Sequence, residues 1–149
     1  MKKLLKFRKL NSSGKRLFVQ AYFSMMLIRL GLLLLPFSKL QGLIKEISQR
    51  KMLFPTTRPI TAWQVALAVH RSSKYSPGEV KCLARALTTA FLMSRYGLSY
   101  KMNIGVARGE QNNFEAHAWV ESDGQVIVGN LPDLSRYAAM SSKGEGLII

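Results

Sequence analysis

Cysteine, histidine and acid are all scarce in this chain. A single cysteine among 149 residues leaves no disulfide framework, and one cysteine with two histidines is too few soft ligands for a structural zinc site. No P-loop or dinucleotide fingerprint is present; Gly105-Val106-Ala107-Arg108-Gly109 is only a strand end running into a turn. Nothing therefore calls for a metal or a cofactor. Internal repeats and low-complexity stretches are also missing. The shortage of acid is local: residues 1–75 carry fifteen of the 22 Lys and Arg and one acid, Glu46, whereas residues 76–149 carry seven bases and seven acids. The whole net charge of +14 thus falls on the first half. That half should be drawn to something anionic, while the second half reads as a neutral globular unit.

Apolar residues are what the chain has in quantity, 48% against 20% charged. This is enough for a sizeable core without disulfides, at a length that fits one domain or one domain with a helical preface. The basic start followed by the apolar run Leu17–Ile28 mimics a secretory signal, but no small-x-small cleavage site follows. A transmembrane helix over Leu17–Phe37 is just long enough, yet it would place Arg29 inside the bilayer at a cost of about 2.5–3.5 kcal/mol, and Pro36 closes it. The stripe Leu17, Ala21, Met25, Ile28, Leu32 and Leu35 suits instead a helix packed on protein or lying at an interface. A free cysteine fits the reducing cytoplasm, with peripheral membrane contact as the variant of that location.

Periodicity divides the rest. Asn11, Ser12 or Ser13 caps a first helix to about Leu35, and a shorter helix follows Pro36 over Lys39–Lys51. Phe54–Pro59 reads as an extended linker, and Thr61 caps a helix to about Ser73. Ser76-Pro77-Gly78-Glu79 resembles a capping box, so the next helix begins either at Ser76 or, if Gly78 makes a turn, close to Cys82; it ends at Tyr96 before Gly97. The period then changes to two: Tyr100, Met102, Ile104 and Val106 alternate, then Phe114, Ala116, Ala118 and Val120, then Val126 and Val128 across an Asp123-Gly124 hairpin. The fold class is α+β, a basic helical region over 1–75 followed by one helix packed on an antiparallel sheet over 76–149.

Two residues could carry chemistry. A lone cysteine near a helix start is more often a small buried hydrophobe than a nucleophile. If the helix starts near Cys82, however, its unpaired N–H groups, its dipole and Lys81 favour a thiolate, and a backbone N–H supplies an oxyanion donor. His117 shares its strand face with Glu115, Trp119 and Glu121, so that face is not plain core. A two-residue Asp123-Gly124 loop pairs Ser122 with Gln125 and sets His117 opposite Asn130, which could hold the imidazole's tautomer. A three-residue loop with a bulge sets Gly129 there instead, leaving Asp133 to fold back. Asp123, roughly 20 Å along the strand, is excluded. Helix cysteine before strand histidine is the order of papain-like and transglutaminase-like sites, in which the imidazole ionises the thiol and protonates the leaving amine.

The segments Cys82-Leu83-Ala84-Arg85-Ala86-Leu87, Arg95-Tyr96-Gly97-Leu98, Ile104-Gly105-Val106 and Phe114-Glu115-Ala116-His117-Ala118-Trp119-Val120-Glu121 resemble the lasso peptide leader peptidases, stand-alone transglutaminase-like B-type maturation proteins. The basic first half, with its apolar helix ending Leu34-Leu35-Pro36-Phe37, resembles theirs too, so the likeness runs over nearly the whole chain. It implies a cytoplasmic cysteine peptidase domain over 76–149 that removes the leader from a ribosomal precursor peptide. It also implies a separate leader-recognition protein and an ATP-dependent macrolactam cyclase as partners. Cys82 would be the nucleophile and His117 the base. The family's third member is an Asp near the end of the next strand; here Gly129-Asn130 stands there, leaving Asn130, Asp133 or a plain dyad.

Two rival readings use the same residues. One is transamidation, where an amine intercepts the thioester. The other is a non-catalytic basic adaptor on a membrane or nucleic acid. Against nucleic acid, the lysines are scattered along apolar helices and no helix-turn-helix or ribonucleoprotein motif appears. His70, at a helix end, reads as structural.

Overall fold

A computed structural model describes residues 12–36, 59–130 and 134–139, with residues 39, 40, 42, 43, 46 and 132. The expected linker Phe54–Pro59, Pro59 excepted, and most of the expected helix Lys39–Lys51 lie outside these. Three α-helices of defined extent precede the sheet, α1 (Ser12–Leu34), α2 (Ala62–Tyr75) and α3 (Cys82–Arg95), and the described residues 39, 40, 42, 43 and 46 are helical as well. The strands are β1 (Lys101–Arg108), β2 (Phe114–Ser122), β3 (Gln125–Val128) and β4 (Ala138–Ala139). They form an antiparallel sheet in the order β3-β2-β1-β4. The α+β class is as the periodicity implies; the two-residue β4, paired through Gly105 and Val106, was not legible in it.

The apolar stripe faces protein as far as Ile28, while its last member, Leu35, is 39% exposed. Leu17, Ala21, Met25 and Ile28 are buried, in one core with Val65 and Val69 of α2, Leu87 and Leu92 of α3, and Ala118 and Val120 of β2. Arg29, the residue that most disfavours a membrane span, turns aside to donate to the Pro77 carbonyl at 2.8 Å. The opposite face of α1 is a different matter. Val19, Phe23, Leu27, Leu30, Leu33 and Leu34 are exposed, from 43% to 83%. This helix is long and apolar enough to cross a membrane, but the core helix of a soluble protein passes the same test.

The start of α2 is a full capping box: Gln64 N–H donates to the Thr61 hydroxyl while Thr61 N–H donates to the Gln64 side chain. The second possible box, at Ser76, does not form. Ser76 instead ends α2, its N–H donating to Ser72 O, and Gly78 takes φ +71 in the turn that follows. A left-handed residue at that position cannot continue a right-handed helix. The helix therefore begins afresh at Cys82, the later of the two expected starts.

Candidate active site

Cys82 is the first residue of α3, free and partly buried. Its N-cap is Lys81, which makes no side-chain cap, and the first turn holds no acid. The first intrahelical bond runs from Arg85 N–H to Lys81 O, so the N–H groups ahead of it keep the positive end of the helix dipole unneutralised beside the sulfur. Neither a side chain nor an acid has been spent on this terminus, which is the arrangement a thiolate and an oxyanion need.

His117 lies on β2 and is nine-tenths buried. Its Nε2–H donates to the Gly129 carbonyl at 2.6 Å. A carbonyl only accepts, so Nε2 carries the proton and, in the neutral ring, Nδ1 holds the lone pair. Among the described residues no hydrogen bond reaches Nδ1, and none joins it to the Cys82 sulfur. The ring lies beside Trp119 (centroids 6.1 Å, planes at 16°) and Tyr137 (5.6 Å). Across the β1–β2 ladder it faces Gly105, where a Cβ would stand 2.8 Å from the Trp119 ring and 2.9 Å from Tyr137 Cβ. Only glycine leaves room for both rings beside the imidazole. Tyr137 is held there through its neighbour Arg136, which bridges Glu115 at 2.8 Å and donates to Arg108 O.

The hairpin differs from both expected registers. Asp123 and Gly124 form a two-residue loop with φ 51° and 77°, as a type I′ turn requires, and Ser122 pairs with Gln125. Glu121 then pairs with Val126 but Val120 with Val128, which leaves Ile127 as a bulge. The bulge slides the returning chain by one residue. Asn130 is consequently not set opposite His117 and is exposed, while Gly129 comes to the imidazole with its carbonyl. Gly129 has φ +83, and a Cβ on it would stand 2.5 Å from Ala118 O and 3.0 Å from Trp119 Cα. Asp133 lies outside the described residues. A carbonyl acceptor was the role sequence reasoning missed; the signal, a glycine after the third strand, was present but ordinary.

Between α2, α3 and the end of β3 there is a cavity of about 340 Å³ whose wall includes His70, Arg85 and Gly129. Burial, then the charges of Lys74, Arg85 and Arg71, hold the His70 imidazole below its usual value. The folded protein therefore binds this proton less readily than the unfolded chain, so stability is lost as pH falls from about 6.5 through the lower folded value. Urea midpoints measured over that range should fall with pH, and less steeply in His70→Gln; equal slopes would refute the assignment.

Neither a curated protein nor a solved structure gives a significant match to this chain. The Transglutaminase-like superfamily profile matches residues 31–142, from the last turn of α1 past the sheet, so the chain belongs to that superfamily, in which cysteine-dependent enzymes are typical.

Proposed function

We propose that the protein is a cysteine peptidase that removes the leader from a lasso precursor peptide. The observation that carries this is Cys82 at the first position of a helix whose N-terminus no side chain caps among the described residues. The resemblance of the segments around Cys82 and His117 to leader peptidases supplies the substrate class. In the reaction His117 Nδ1 takes the thiol proton as Sγ attacks the carbonyl carbon of the last leader residue. The oxyanion that forms meets the free N–H groups of α3. Collapse breaks the C–N bond, the imidazolium gives its proton to the leaving amine, and water then hydrolyses the thioester to release the leader as an acid. The freed amine is the N-terminus that an ATP-dependent macrolactam cyclase would close onto an acidic side chain. Thiol and imidazole must meet in the substrate complex, since they share no hydrogen bond in the free protein; such bonds commonly tighten only on binding. The orienting role of the third residue falls to the Gly129 carbonyl rather than to the exposed Asn130.

The test is the mass of a precursor peptide encoded beside this gene, incubated with the protein and its leader-binding partner. A loss of the leader as a free acid supports hydrolysis; a leader joined to an added amine would show transamidation instead, and no change would remove both.

We infer that the exposed face of α1 seats the protein on an anionic bilayer from the cytoplasmic side. Val19, Phe23, Leu27, Leu30 and Leu34 recur at helical spacing, and Lys15, Arg16 and Lys39 flank the stripe in a half that carries one acid. The protein is expected to sediment with phosphatidylglycerol-containing vesicles at low salt and not with pure phosphatidylcholine. Phe23→Asp with Leu27→Asp should abolish that. Failure to sediment, or binding unaffected by the double variant, would refute it.

A further inference from the structure

The cavity beside the active site has a chemistry that the peptidase reading does not use. Trp63, Leu67 and Val128 make most of its wall apolar, with Trp63 57% exposed at the rim. Its polar end is basic, formed by Arg85 and His70, and among the described residues no carboxylate lines it. Arg85 Nε is shut off from solvent without an acceptor, and among the described residues the side chain makes no hydrogen bond or ion pair. A guanidinium offers five donors and can shed none of them, so a buried N–H facing no acceptor is costly unless something arrives to accept it. Burial first, and then the charges of Lys74, Arg85 and Arg71, lower the pKa of the His70 imidazole beside it.

Position ties this cavity to the chemistry. Arg85 follows Cys82 by three residues on α3, and such side chains share a helix face about one turn apart. Gly129, which also lines the cavity, is the residue whose carbonyl holds His117.

We propose that the cavity is a subsite for an acidic side chain of the peptide substrate, its carboxylate paired with the Arg85 guanidinium and an adjoining apolar residue against Trp63 and Leu67. An Arg fork matches a carboxylate with two parallel hydrogen bonds, and the dry apolar wall strengthens them. The substrate in this statement rests on the peptidase reading; the binding chemistry does not.

The experiment is an NMR titration of the full-length labelled protein with two probes, acetyl-Leu-Glu-amide and acetyl-Leu-Gln-amide, which differ only in the carboxylate. The Glu peptide should shift the Arg85 Nε–H and Trp63 indole resonances saturably, and the Gln peptide should bind at least ten-fold more weakly. In Arg85→Met that difference should vanish, which separates the guanidinium from the general positive field. Equal affinities in the wild type, unmoved Arg85 and Trp63 signals, or a preference surviving Arg85→Met would overturn the proposal. The wild-type comparison stands even if the variant fails to fold. The two readings also fail separately: preference for the Glu peptide without any precursor cleavage keeps the subsite and removes the peptidase, and cleavage without that preference does the reverse.

Discussion

Cys82→Ala should abolish removal of the leader, lowering the rate on the order of 10⁴-fold or more, because the variant lacks the atom that forms the covalent intermediate. The fold should survive: the position is partly buried, alanine is the best helix former, and no hydrogen bond to the sulfur is lost. His117→Ala should cost a comparable factor, and the double variant little more than either single one, since thiol and imidazole act as a unit. Asn130→Ala should leave the rate nearly unchanged, because Asn130 is exposed and His117 Nε2–H is already satisfied by Gly129. These outcomes are read from the mass of the precursor after timed incubation. Leader loss that persists in Cys82→Ala would end the cysteine mechanism, and a large loss in Asn130→Ala would return the orienting role to that side chain.

Gly129→Ala is expected to have the largest effect outside the Cys82–His117 pair, and through the backbone. The residue sits at φ +83, where a left-handed conformation costs an L-residue about 1–2 kcal/mol, and the new methyl would meet Ala118 O at 2.5 Å. Neither neighbour is a flexible side-chain end; both the Ala118 carbonyl and Trp119 Cα belong to β2. The chain must shift, and the carbonyl that holds His117 shifts with it. Misplacement of a catalytic group by about 1 Å can cost on the order of 10²-fold in rate. A urea denaturation curve and a timed cleavage assay on the same preparation separate the two effects. Lowered stability with an unchanged rate would show that the Gly129 carbonyl does not position the imidazole.

Local chemistry made much of this protein legible in advance. The apolar stripe from Leu17 to Ile28, the Thr61 cap and the Asp123-Gly124 loop each depend on residues a few positions apart, and each element forms as that chemistry requires. The start of α3 is an intermediate case. Ser76 and Cys82 were both permitted locally, and the positive φ of Gly78, with Arg29 of α1 donating to Pro77 O, goes with the later one. That choice matters, because it moves Cys82 from the second turn of a helix to its first residue.

The remainder was decided by contacts distant in sequence. The bulge at Ile127 changes the partner of every residue beyond it, and a pattern of period two cannot report a single inserted residue. Val128 packs against a core that α1, α2 and α3 complete from elsewhere in the chain, and Gly129 follows it toward His117. Arg85 looked like any helical arginine until packing made it part of a cavity wall and shut its Nε off from solvent. Residue types and local spacing thus specified the elements and nominated Cys82 and His117. Which group orients the imidazole, and which arginine keeps its Nε from solvent without an acceptor, depended on how those elements pack, since burial and long-range hydrogen bonding are properties of the assembled core.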